Sequence, residues 1–321
     1  MALFLVACMS FAACDNIEDL SNDDVSRDDS ILAHWKLQNT EEYYVGNIDT
    51  DELRFIDLSG NGNDLISSVE GNGAQLDIFK WDEGDDWGSV SSLKFDNTLF
   101  LAQSVDPYDA TQTSYSGAYV SGKYLQTVED APLNNFTGEN GWTIEIMFKV
   151  SSEWDNTYNR YVGMFSRQGV QKDKDEPPFA MMLSYAMGEQ AGTLGENGAT
   201  GLQYVHIDGT EKMIKSEYCN GEINTQEWVH FMVANNGLRS WMYVNGKCID
   251  KFADTSTFSS AALGGWEVGV GRKLGTGEAT MNTIYPEGLI RRLFCGSISE
   301  IRFCEGFKAI EESLLKNRNG A

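Results

Sequence analysis

Between Trp228 and Phe252 the chain reads WVHFMVANNGLRSWMYVNGKCIDKF, and this stretch limits the fold more than any other. Trp228–Ala234 is an aromatic and β-branched run, Asn235-Asn236-Gly237 a turn, and Arg239–Val244 a second run. Asn245-Gly246 is a second turn and Lys247–Phe252 a third run. Asn-Gly supplies the positive φ angles that a two-residue hairpin needs. Two turns so close together leave no room for a helix between them. The stretch is therefore predicted to form the centre of an antiparallel sheet, and the domain to be all-β.

The 321 residues suffice for one large β domain or two small ones. With 48 acidic against 24 basic residues the net charge is -24. Such a surface repels phosphate backbones, so nucleic acid is disfavoured as a partner. Neutral sugars, cations and basic partners stay open, although the acids need do no more than keep an exported chain soluble.

Met1–Cys14 (MALFLVACMSFAAC) is apolar and ends in small residues. It is too short to span a bilayer and reads as the hydrophobic region of a secretory signal. Asp15–Ser30 (DNIEDLSNDDVSRDDS) offers many carboxylates and little to bury, so a flexible, solvated tether is expected there. No composition break or internal repeat divides residues 31–321, which are expected to form a single domain. Within it, Trp81–Val90, Asn97–Gly122, Ser151–Arg160 and Gln168–Pro178 are polar enough to be long loops, where binding usually sits. Ile310 and Leu314 stand at helical spacing in Phe307–Leu315, which fits a short C-terminal amphipathic helix.

Several short pieces arrive in a telling order. Ile31–Leu37 (ILAHWKL) precedes a turn-rich DLSGNGNDL ending at Leu65, and then comes Ser92–Asp96 (SLKFD). Gly141–Val150 (GWTIEIMFKV), Met164–Arg167 (MFSR), the Glu227–Val229 and Tyr243–Gly246 parts of the hairpin, Val268–Gly271 (VGVG) and Gly296–Phe303 (GSISEIRF) follow. The ordered set, from about Ile31 to Leu315, resembles the laminin-G-like jelly rolls of the concanavalin A-like lectin/glucanase superfamily. The resemblance implies a two-sheet antiparallel jelly-roll sandwich. At the other end, Phe11-Ala12-Ala13-Cys14 resembles a bacterial lipobox, which implies lipid attachment at Cys14, although no lysine or arginine precedes it. The acidic run that follows resembles the surface-export signal of Bacteroidota lipoproteins. Together these imply an exported outer-membrane lipoprotein, at the cell surface or facing the periplasm, that meets the membrane through its anchor alone.

Signatures of catalysis are sparse. The chain has no HExxH, GxSxG or Walker loop. His34, His206 and His230 sit in strand-like contexts that favour structural roles. Because the superfamily includes glucanases, the serious enzyme reading is a glycan-cleaving one, either a glycoside hydrolase or a polysaccharide lyase. Hydrolysis needs two carboxylates about 5–5.5 Å apart for retention or about 6.5–9.5 Å for inversion. Glu145 in TIEIMF and Glu300 in SISEIRF each stand singly on their strand. An acid pair assembled from loops, or a Tyr204–His206 lyase arrangement, is the remaining route.

Binding has more support. Trp81, Trp87, Tyr108, Tyr115, Trp154 and Tyr158 lie among Asp, Asn, Gly and Ser in the expected loops. A pyranose stacks its C–H face on such rings while its hydroxyls meet the polar neighbours. Each ring taken singly is as well explained by packing its own loop onto the sandwich. Trp142, Trp228 and Trp241 fall in strands and are expected in the core. Asp57, Asn61, Asn63 and Asp64 gather hard oxygen ligands in one turn, as a structural calcium site would. The competing reading is a glycine-rich turn held by Asx hydrogen bonds. Cys219 and Cys248 fall at the same end of the hairpin and could form a disulfide. Cys295 and Cys304 flank one strand and would stand about 30 Å apart, too far to pair. The competing reading leaves all four thiols buried. The expectation is therefore a surface-anchored, non-catalytic jelly roll that binds a polysaccharide or oligosaccharide. The alternatives are the glycan-cleaving enzyme and a protein-binding adhesion or structural module.

Overall fold

The computed structural model describes residues 28–315 except 51, 71–78, 83–90, 98–103, 107–108, 115–121, 154–160, 168–176, 186–199, 219–222, 224–226, 260–264, 275–278, 281–282 and 285–288. In chain order the strands begin with β1 (Ile31–Lys36), β2 (Tyr44–Val45), β3 (Arg54–Phe55), β4 (Leu65–Glu70), β5 (Phe79–Asp82) and β6 (Ser92–Asp96). Next are β7 (Ser104–Asp106), β8 (Asp109–Ser114), β9 (Gly122–Thr127), β10 (Trp142–Val150), β11 (Tyr161–Arg167) and β12 (Phe179–Tyr185). Then come β13 (Thr200–Ile207), β14 (Met213–Tyr218), β15 (Trp228–Asn235), β16 (Arg239–Val244), β17 (Lys247–Ala253) and β18 (Trp266–Val268). The last are β19 (Val270–Leu274), β20 (Ala279–Thr280), β21 (Thr283–Ile284), β22 (Leu289–Leu293) and β23 (Cys295–Glu305).

Two antiparallel sheets form a sandwich of jelly-roll type. One has eight strands in the order β17-β16-β15-β10-β23-β6-β5, with β1 also pairing β23. The other has nine, β14-β13-β12-β11-β18-β9-β4-β3-β2. The first and last described strands pair inside the first sheet, where His34 lies opposite Arg302 and Lys36 opposite Glu300. The double hairpin Trp228–Ala253 stands as predicted. Asn245 and Gly246 take φ values of 47° and 82° at the tight turn. At the other turn the Asn235 and Asn236 side chains accept the Gly237 and Arg239 N–H groups, closing it without a helical bond.

Alternating side chains from both sheets fill the core. Trp142 meets Phe179 edge-on at 5.5 Å, and Phe165 stacks on Trp266 at 5.2 Å. Three fully buried indoles each donate Nε1–H to a carbonyl: Trp35 to Asn63, Trp142 to Ser256 and Trp266 to Leu133. Their burial therefore leaves no orphaned donor. Gly163 of β11 approaches Gly271 of β19, a strand paired only with β22 outside the two main sheets, so closely that a Cβ on Gly163 would lie 2.1 Å from the Gly271 Cα. Gly163→Ala is expected to cost about 1–3 kcal/mol, since both partners are backbone and neither can swing away. The midpoint of urea unfolding reads it directly.

Some expectations change. Trp81 and Asp82 belong to β5, not to a loop. The 97–122 stretch contains the β7–β8 hairpin. Beyond β23 the chain forms a 3-10 turn at Ile310–Glu312, and Leu314 is buried against the sandwich as an apolar helical face would be. Trp142 is core, but Trp228 and Trp241 are only partly buried. Their parity explains it: Val229, Phe231 and Val233 point inward on β15, as do Met242 and Val244 on β16. Residues one position away must then point outward.

Candidate functional site

Residues in register form rows across the outer face of the eight-stranded sheet. On β10, Ile144, Ile146 and Phe148 enter the core, so Glu145, Met147 and Lys149 face out. One outward row runs Met232–Glu145–Arg302–His34, and another runs Trp228–Lys149–Ser297–Lys94–Lys80. The two rows meet different fates.

The chain after β23 folds back over the first row. Lys308 N–H donates to Thr143 Oγ1 at 2.8 Å and Leu314 N–H to Glu145 Oε2 at 2.8 Å. Phe307 packs against Trp241 at 4.9 Å. Under this cover Glu145 and His230 have no solvent exposure. His230 Nε2 donates to Glu145 Oε2 at 2.9 Å, and the Arg302 guanidinium grips Oε1 with Nε and Nη2. Burial alone would raise the Glu145 carboxyl, but the His230 hydrogen bond and the Arg302 charge outweigh it and hold it below the usual range. Glu300 also faces out from the neighbouring strand, opposite Met147, and takes the His34 Nε2 at 2.7 Å. Each acid is solitary along its own strand; register brings the two to one face. Glu145 is locked to His230 and Arg302 beneath the C-terminal segment, and Glu300 is paired with His34, so each acid is already engaged by a base.

The second row is open. Asp82, Lys94, Lys149, Val150, Ser151, Gly296 and Ser297 line a small open cleft of about 40 Å³. Asp82 Oδ2 accepts from Lys149 Nζ at 2.8 Å and from Ser297 Oγ at 2.5 Å. Burial works against the Asp82 charge, yet these two donors hold its carboxyl below the ordinary value. Lys149 Nζ also sits 5.1 Å over the Trp228 ring, a cation–π contact that fixes the flank of the cleft. Gly296 forms part of the floor; a Cβ there would lie 2.3 Å from the Lys149 carbonyl oxygen.

The expected site residues fall unevenly. Trp87, Tyr108, Tyr115, Trp154, Tyr158, Cys219 and Cys14 lie outside the described residues. Trp81 packs at the core edge against Tyr44 (5.3 Å) and Phe55 (6.4 Å). In sequence, residues 83–90 follow Asp82 and residues 154–160 follow closely on Ser151, both of which line the cleft. Trp228 and Lys149 were legible only through strand parity. Cys248 is exposed on β17, while Cys295 and Cys304 are buried near opposite ends of β23, their thiols each pushed up to about 12 by burial.

The Asp57–Asp64 turn is drawn together by hydrogen bonds. Asp57 Oδ1 accepts from the His34 and Ser59 N–H groups, both at 3.0 Å, and Oδ2 from Asn63 N–H at 3.0 Å. Asp64 Oδ1 accepts the Asp57 N–H and Oδ2 the Arg54 guanidinium, both at 2.7 Å. Asn63 Oδ1 takes the Leu133 N–H at 2.8 Å, and Asn61 Nδ2 donates to Ile31 O at 2.8 Å. Since these carboxylates already have donors, the melting temperature is expected to be the same in chelator and in calcium. A calcium-dependent rise would assign a metal to the turn.

Tyr204 and His206 are fully buried between the sheets. Tyr204 OH donates to Asp254 Oδ2 at 2.7 Å, and His206 Nδ1 meets Oδ1 at 3.0 Å. Burial, with the Asp254 charge beside it, raises the Tyr204 hydroxyl well above its ordinary value. A lyase base needs the opposite shift and an open face for substrate. This pair has neither.

No family model matches the chain, and no curated protein matches it. Among solved structures it is similar to domain 4 of AbnA, a GH43 extracellular arabinanase from Geobacillus stearothermophilus, in complex with arabinotriose. The two are 11% identical over 90% of this chain and 97% of that one, with a TM-score of 0.46. It is also similar to the receptor-binding domain of botulinum neurotoxin C/D mosaic serotype, at 10% identity over 88% of this chain, with a TM-score of 0.47. A third is the serotype D neurotoxin ligand-binding domain in complex with N-acetylneuraminic acid, at 11% identity over 88% of this chain, with a TM-score of 0.44. The chain spans 50% and 49% of those two neurotoxin chains. The strand order above, not these likenesses, establishes the sandwich.

Proposed function

We propose that this protein binds glycans without cleaving them, at the cleft on the outer face of the eight-stranded sheet. One observation supports the reading most: Asp82, Lys94, Lys149, Ser151 and Ser297 converge beside the partly exposed Trp228. Sugars are recognised by this pairing of an aromatic face with mixed donors and acceptors. The chain on either side of the cleft continues into Trp87 and into Trp154 and Tyr158, which the proposal assigns to ligand contact. Trp81 has a packing role at the core edge and is a weaker candidate. In the same proposal Cys14 bears the lipid that holds the protein at the outer membrane.

A panel of neutral and acidic polysaccharides in affinity gels tests the reading. Retention by at least one glycan is expected, with Trp228→Ala, Trp87→Ala or Trp154→Ala reducing it by about tenfold, as loss of an interfacial aromatic anchor commonly does. Absence of retention across the panel, or retention untouched by all three substitutions, overturns the proposal. Release of reducing or unsaturated ends from a retained glycan would make it an enzyme instead.

A further inference from the structure

We infer that the cleft selects acidic saccharides, with Lys94 receiving the anionic group; this rests on the glycan-binding reading above. The chain is strongly acidic, yet Lys149, Lys94 and Lys80 stand in one cross-strand row with Ser297 between the first two. Three inter-strand steps separate the outer members, so the three ammonium stems rise within roughly 15 Å along the sheet. Lys80 and Lys94 are directly opposite each other, a like-charge pairing that sheets disfavour. A row of this kind needs offsetting charge, and its supply is unequal.

Lys149 is held by Asp82 at 2.8 Å and by the Trp228 ring. Lys80 is held by Asp96 at 2.9 Å. Lys94 lies between them with a side chain 27% exposed, and its one ion pair among the described residues is with Glu153, at 3.9 Å, whose own side chain is 62% exposed. An exposed contact of that length contributes little and is readily exchanged. An incoming carboxylate or sulfate can take the place of Glu153 at Lys94 without breaking a buried ion pair.

The other side of the cleft suits a sugar hydroxyl. Both close contacts to Asp82 fall on Oδ2, and among the described residues no hydrogen bond reaches Oδ1. Oδ1 can therefore accept a hydroxyl while Lys149 neutralises the carboxylate. Ser297 spends its proton on Asp82 and keeps its lone pairs for a donor on the ligand. An anionic group at Lys94 with a hydroxyl at Asp82 describes one acidic sugar residue. Acids more than about 8 Å from Lys94 oppose this little at physiological ionic strength, where their charges are largely screened.

The test uses the full domain in 150 mM salt, titrated calorimetrically with oligogalacturonates, their neutral methyl esters, heparin-derived sulfated oligosaccharides and neutral xylan and glucan oligosaccharides. Binding to the uronates or the sulfated set is expected, at least about tenfold tighter than to the methyl esters and other neutral sugars. A preference within the acidic pair identifies carboxylate or sulfate as the group taken. Lys94→Ala should remove that preference and Lys94→Arg should retain it, with unchanged melting temperature showing that both variants fold. Equal binding of charged and neutral sugars, or a preference that survives Lys94→Ala, overturns the inference and leaves glycan binding standing. Binding to none of these sugars, together with a failed gel panel, overturns both.

Discussion

Replacing Glu145 with alanine is expected to lower the stability of the domain by about 3–5 kcal/mol, enough to leave much of it unfolded at body temperature. The side chain is fully buried and serves three donors: the His230 ring, the Arg302 guanidinium and the Leu314 N–H. Removing it leaves the buried Arg302 charge without its carboxylate and cuts a tie between the sheet and the C-terminal segment. Glu145→Gln keeps the shape but not the charge, and should fall between alanine and the native chain. The pH dependence follows with a definite sign. The folded Glu145 carboxyl lies below its ordinary value of 4.5, so its stabilisation is complete above that value. It is lost as pH falls through the lower folded value. Urea midpoints measured from neutral pH downward should therefore drop in the native chain, and drop less steeply in Glu145→Gln. Equal slopes in the two proteins would refute the account.

The second large effect is expected at Asp254. This carboxylate accepts from Tyr204 OH and from Ser240 Oγ, and faces His206 Nδ1, all inside the core. Asp254→Ala strands those groups at once, with no water to take them. Each buried polar group left unsatisfied costs about 1–3 kcal/mol, and neighbours do not add fully, so a loss of roughly 4 kcal/mol is expected. Asp254→Asn retains an acceptor and should lose less. Thermal unfolding of both variants checks the order; an Asp254→Ala protein as stable as the native one would show that the network contributes nothing.

Much of the architecture was legible in the chain because its signals are local. Asn-Gly turns and period-two alternation mark the hairpin to within a residue at each boundary. Ser92–Asp96 is a strand at its predicted limits. The site was less legible, because it is a product of register. Lys149, Ser297 and Lys94 are 149, 297 and 94 residues along the chain, and nothing near any one of them hints at the others. Trp228 was misplaced in the core by its aromatic character, although its outward aim follows from the buried Val229, Phe231 and Val233 beside it. The cover over Glu145 was hidden for another reason. A helical spacing in Phe307–Leu315 announces an apolar face, but not which polar residues that face will seal.

The placement of β23 bears on how the molecule is made. This last strand lies in the interior of its sheet, between β10 on one side and β1 and β6 on the other. A polypeptide emerging from the ribosome holds the two halves of that sheet with nothing to join them until residues 295–305 have been made. Commitment to the native state is thus deferred until this strand is available, and long-range closures of this kind are intrinsically slow.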